Sequence, residues 1–133
     1  MDGEEGQRTH LLIVEDEPMI GRILEHKLRR EGHAVTWVQS AAAAADILEG
    51  SAASIDLALV DVTLECDGID FITRLREHER PRRGWLVMHE VGDATARLRA
   101  LANGARGSVD KPFKPTAVAA LVSNVLEGGR HSS

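Results

Sequence analysis

An α/β fold built on a parallel sheet is predicted by three features of this sequence. Short apolar runs alternate with longer segments whose apolar residues recur at helical spacing. Runs such as LLIV and LALV lack polar alternation, as strands covered on both faces require. Pro18, Gly32, Ser40 and Gly104 fall where one kind of segment gives way to the next. At 133 residues the chain suits one domain with its own core, and five strands alternating with five helices occupy it without a linker or repeat.

Residues 1–9 are polar and Gly-containing, an expected disordered lead-in to a domain over 10–127; residues 128–133 read as a tail. The first strand, 11–14, stops at EDEP. Pro18 suits the first turn of a helix, where Ile20, Ile23, Leu24 and Leu28 follow at helical spacing until Gly32. AVTWV (34–38) is the second strand. Ser40 caps an alanine-rich second helix that Gly50 is expected to end. LALV (57–60) is the third strand. IDFITRLREH then predicts one helix with Ile69, Ile72 and Leu75 on a single face. WLVM (85–88) is the fourth strand, ATARLRALANG the fourth helix, and GSV (107–109) a short fifth strand. In the last helix Val118, Leu121, Val122 and Val125 repeat at i, i+3, i+4 and i+7.

Composition narrows the function classes. A net charge of −5 argues against general affinity for nucleic acid or membrane. No apolar run reaches the roughly 18 residues that span a bilayer, and the first ten residues lack the order of a signal peptide, so a cytoplasmic location is expected. A single cysteine, Cys66, forms no internal disulfide, and nothing beside it in sequence lowers a thiol pKa. The arginines between Arg74 and Arg83 read as a solvated face.

Carboxylates at strand ends carry the chemistry. In an open α/β sheet, ligands bind beyond the carboxyl ends of the strands. Strand one ends in Glu15, Asp16 and Glu17, strand three in Asp61, and strand five in DKPF with Lys111. If strands one, three and five are neighbours, these groups meet at one edge. Clustered carboxylates raise one another's pKa unless a cation intervenes, and Mg²⁺ prefers such oxygen ligands. With Lys111 to meet a phosphoryl oxygen and Asp61 as nucleophile, the set suits phosphoryl transfer to a carboxylate. Each piece has a plainer reading, as a helix cap, a strand-end Asp or a Lys-Pro turn; their joint occurrence favours the functional one.

LLIVEDEP, DLALVDVTL and NGARGSVDKPF, set on the fivefold βα alternation, resemble the receiver domain of bacterial two-component response regulators over 10–127. The resemblance implies a flavodoxin-like (βα)5 three-layer sandwich with strand order 2-1-3-4-5. It implies that Asp61 is the phosphoacceptor, that Glu15, Asp16, Asp61 and the backbone carbonyl of Thr63 hold Mg²⁺, that Lys111 contacts the phosphoryl group, and that the Lys111–Pro112 bond is a candidate cis peptide. The implied partners are a sensor histidine kinase or histidine phosphotransfer protein and a downstream protein bound around helix four, strand five and helix five, with a homodimer possible. The short remainder after residue 127 leads to the expectation of a stand-alone receiver.

Two positions depart from that family's pattern. The Thr or Ser expected at the end of strand four falls on His89, and the aromatic expected three residues before the lysine falls on Ser108. His89 is read either as a strand-end residue turned to solvent or as an imidazole that donates to a phosphoryl oxygen. After Asp61, Glu65 stands where Pro is common. The alternative is a pseudo-receiver, the same fold used as a phosphorylation-independent interaction module. A haloacid-dehalogenase-like phosphatase fits poorly because its second Asp falls on Thr63, and no glycine-rich nucleotide motif occurs.

Overall fold

The computed structural model describes residues 8–128, so most of the expected lead-in and tail lies outside the described residues. Five strands, β1 (His10–Val14), β2 (Ala34–Val38), β3 (Leu57–Asp61), β4 (Trp85–Glu90) and β5 (Ser108–Lys111), form one parallel sheet in the order 2-1-3-4-5. Five helices, α1 (Pro18–Arg30), α2 (Ala41–Ser51), α3 (Gly68–Thr73), α4 (Ala94–Ala102) and α5 (Pro115–Gly128), alternate with them. The result is the flavodoxin-like arrangement expected from the sequence.

Alternation along each strand divides the core between the two faces. Leu11, Ile13, Leu57, Leu59, Leu86 and Met88 pack under α1 and α5, against Leu24, Leu28, Val118 and Val122. Leu12, Val14, Ala58, Val60 and Val87 pack under α2, α3 and α4, against Ala44, Leu48, Ile69, Ile72 and Ala100. β1 and β3 lie inside the sheet and are apolar over residues 11–14 and 57–60, which is why neither showed a period of two in the sequence.

Several boundaries differ from the periodic reading. α2 runs through Gly50 to Ser51 and then tightens into a 3₁₀ turn at Ala52–Ser54. The segment read as one third helix stops at Thr73, and a separate 3₁₀ turn forms at Glu77–Glu79. Arg80 draws that connection back, donating to the carbonyls of Leu75 at 3.0 Å and Thr73 at 3.1 Å. Gly32 and Gly104 take positive φ after α1 and α4, which only glycine does at little cost. α5 extends to Gly128, one residue past the expected domain limit.

Candidate functional site

Register sets the site. Val14 pairs with Val60 across β1 and β3, so Glu15 and Asp61, one residue further along each strand, end side by side. Glu15 continues the alternation of Leu11 and Ile13, Asp61 that of Leu57 and Leu59, and Lys111 that of Val109. All three therefore belong to the α1 and α5 face, at its carboxyl edge.

In the expected order 2-1-3-4-5, β1 and β3 are neighbours and β5 is not beside β3. β4 lies between them, with Asp61 paired to Met88 and Glu90 paired to Lys111. Lys111 must reach across two strand spacings, roughly 10 Å, and its long stem does so. Its Nζ donates to Glu15 Oε1 at 3.1 Å and Glu17 Oε1 at 3.2 Å, and stands 3.5 Å from Asp61 Oδ1. The Lys111–Pro112 bond at the end of this strand is cis.

The buried groups are Glu15 (0% exposed), Asp61 (2%) and Lys111 (6%). Ligand atoms of Glu15, Asp16 and Asp61 lie within 4.8 Å of one another, with Asp16 exposed. Burial first, and then the Asp61 charge, pushes the Glu15 carboxyl up to about 7, although the Glu17 amide and Lys111 oppose this. Burial also raises Asp61, against the pull of Lys111 and with the help of Asp16. For Lys111, burial lowers the value, but Asp61, Glu15 and Glu17 outweigh it and hold the ammonium above its ordinary range. Asp61 Oδ1 is buried and makes no hydrogen bond, despite the nearby ammonium. An acceptor atom buried in that state has capacity for a ligand.

His89 is not turned to solvent, as one reading of the sequence had it. It is 2% exposed, on the α4 side of the sheet beside Asp110 of β5. Its Nδ1–H donates to the Glu90 carbonyl at 2.9 Å, and Nδ1 lies 3.5 Å from Asp110 Oδ1. Its Nε2 is buried without a hydrogen-bond partner. Ser108 is half-buried on the adjoining strand.

Other supporting residues were not legible from sequence. Trp37 Nε1 donates to the Glu15 carbonyl at 2.9 Å, and its indole passes so close to α1 that a Cβ on Gly21 would fall 2.1 Å from it. Gly68 brings α3 against the end of β3: a Cβ there would lie 2.0 Å from the Asp61 carbonyl oxygen. Glu65, the departure after Asp61, accepts from the Ala41 and Ala42 amides at 2.9 and 3.1 Å and so ties the acceptor loop to the start of α2. From α4, Arg99 reaches Asp67, the N-cap of α3, with two bonds of 3.0 Å, and Asp70 at 2.8 Å. These pairs join residues about thirty positions apart, beyond any local pattern. Cys66 is exposed, and its thiol is pushed up by partial burial and by Glu65, Asp67 and Asp70, so the site leaves it unactivated.

Comparison with known proteins agrees with this fold. Residues 11–123 match the family model described as the response regulator receiver domain. The transcriptional regulatory protein SrrA of Staphylococcus aureus is 33% identical over 120 residues, covering 89% of this chain and 48% of that protein. The chain thus spans about half the length of the curated relatives it matches. A putative response regulator from Chloroflexus aurantiacus superposes with a TM-score of 0.80 at 29% identity, covering 90% of this chain and 98% of that one. A CheY-like receiver domain protein from Methanospirillum hungatei shares the fold at a TM-score of 0.82 and 19% identity, over 96% and 100% of the two chains. No helix among the described residues is long and apolar enough to cross a membrane. The chain belongs to the receiver domain family of two-component response regulators.

Proposed function

We propose that the chain accepts a phosphoryl group on Asp61 from a histidine kinase or histidine phosphotransfer protein and signals by protein–protein contact. The observation that carries this reading is the buried Asp61 Oδ1, without a hydrogen bond, 3.5 Å from Lys111 Nζ and within reach of two further carboxylates. A scaffold that only binds a partner gains nothing from that arrangement.

The donor set fits Mg²⁺: Glu15, Asp16 and Asp61 offer carboxylate oxygens, and the pKa of Glu15, raised first by burial and then by the Asp61 charge, shows an ionised form that a hard cation would stabilise. Together with the Thr63 carbonyl, these residues are the proposed ligands, and the ion when bound supplies charge neutralisation for the phosphoryl oxygens. Asp61 Oδ attacks phosphorus, forming an O–P bond as the donor's N–P bond breaks, and the departing imidazole takes up a proton. Lys111 holds a fixed positive charge beside Oδ1 and stabilises the transferred group. Hydrolysis reverses the charge change: water oxygen bonds to phosphorus, the Asp61–phosphorus bond breaks, and inorganic phosphate leaves a free carboxylate.

The domain over 10–127 is proposed to act in the cytoplasm, with a downstream protein engaging α4, β5 and α5. Ser108 begins β5 and His89 lies beside it on β4, so phosphorylation is expected to proceed while its structural readout differs from that of a Thr and aromatic pair. Intact-protein mass after incubation with Mg²⁺ and acetyl phosphate tests the proposal. One added phosphoryl group, absent in Asp61→Asn, is expected. No adduct, together with no amide shifts on adding beryllofluoride and Mg²⁺, would transfer support to the phosphorylation-independent module.

A further inference from the structure

The amino edge of the sheet, opposite the carboxylates, carries a concavity of about 270 Å³. Arg80, Arg82, Arg83 and Arg106 line it together with Trp85, and no Asp or Glu does so among the described residues. Asp56 stands 3.8 Å from Arg82.

Three of the guanidiniums are held by neutral acceptors. Arg80 donates to the Leu75 and Thr73 carbonyls, Arg106 to the Arg83 carbonyl at 3.1 Å, and Arg83 to the Leu126 carbonyl. Carbonyl bonds fix the direction of a guanidinium without cancelling its charge. A guanidinium has five N–H donors, so one or two such bonds leave each of these three forks with donors to offer. Arg80, Arg83 and Arg106 thus keep their charge around one hollow in a chain whose net charge is −5. A hollow lined by one sign of charge focuses potential and draws the opposite ion.

We propose that this concavity binds a phosphate anion of at least two phosphate groups, gripped by the arginine forks. Planar guanidinium forks match phosphate oxygens bidentately, and the three cations bonded to carbonyls are poorly balanced by a singly charged ligand. The volume is below the usual range for drug-sized ligands and suits a compact polyanion. β4 separates the hollow from the Asp61 edge by roughly 15–20 Å, so the site stands or falls independently of phosphorylation.

The test is a titration of the ¹⁵N-labelled full chain in EDTA with sodium pyrophosphate, beside sodium acetate at matched ionic strength. Saturable shifts are expected at the Gly84, Gly104 and Arg106 amides and the Trp85 indole N–H. Binding should weaken at least tenfold in Arg106→Glu and by less in Arg106→Lys, which keeps the charge but loses the fork, and the spectra also report that each variant is folded. ATP binding tighter than tripolyphosphate would assign a nucleotide, and equal affinities the phosphate chain alone. Shifts confined to the Asp61 and Lys111 edge, shifts that never saturate, shifts matched by acetate, or equal affinity in Arg106→Glu would overturn the proposal.

Discussion

At the carboxyl ends of the strands, Glu15, Asp61 and Lys111 are buried and face one another; at the amino ends, Arg80 and Arg106 stay exposed and donate to neutral carbonyls. Both edges concentrate charge, yet the energetic consequences differ. At the carboxyl edge, water cannot relieve the two carboxylates, and a carboxyl raised from 4.5 to about 7 reflects about 3 kcal/mol against the ionised form at neutral pH. At the amino edge, solvent screens the arginines and their mutual repulsion is small. The contrast teaches that charge gathered at a desolvated edge is kept under strain, whereas charge gathered at a solvated edge is not.

The largest test of this contrast is Lys111→Met. It leaves Glu15 and Asp61 buried without their ammonium, and chemical denaturation at pH 8 should show a loss of about 3–5 kcal/mol. The loss should shrink at pH 5, where Glu15 is protonated. An equal loss at both pH values would break the comparison, because it would place the cost in packing instead of charge.

Glu15→Gln acts in the opposite direction. Because the folded value of Glu15 lies above 4.5, its favourable contribution is complete below about 4.5 and is lost as pH rises through about 7. The metal-free chain should therefore lose stability across that window, and Glu15→Gln should gain up to about 3 kcal/mol at pH 8 and little at pH 4. Mg²⁺ competes with that proton, so the rise in Tm that it gives the parent chain should grow over the same range. A Mg²⁺ effect that is flat with pH would remove Glu15 from the ligand set.

A change in readout is expected from His89→Thr. Replacing a buried imidazole bonded to the Glu90 carbonyl should alter the beryllofluoride-induced amide shifts in α4 and leave acetyl phosphate labelling within about threefold, roughly 0.6 kcal/mol. Unchanged α4 shifts would show that His89 has no part in the response. The smallest effect belongs to the amino edge: Arg82→Gln, on a side chain 62% exposed, should move the unfolding free energy by less than about 0.5 kcal/mol.

Much of the fold was legible because its signals are local. Continuous branched runs marked β1 and β3, and helical spacing marked α1 and α5, since each pattern records which side of one element is apolar. The third helix was overdrawn because Leu75 stays buried after the helix has ended at Thr73, and burial periodicity cannot distinguish a helix from a turn that returns to the core. Arg99 on Asp67 and Glu65 on α2 left no trace in sequence, because their partners are set by how helices lie on the sheet.

For the candidate site, the sequence by itself determined which groups stand at strand ends: Glu15, Asp16, Asp61 and Lys111 are where apolar runs stop, and no packing is needed to see it. Tertiary structure decided what those groups experience. β4 between β3 and β5 requires the lysine to span it, burial gives Glu15 its unusual pKa, and packing beside β5 encloses the His89 ring. Charge position along a strand is a one-dimensional property, whereas desolvation and charge pairing depend on distances between elements, which only the assembled sheet and its helices fix.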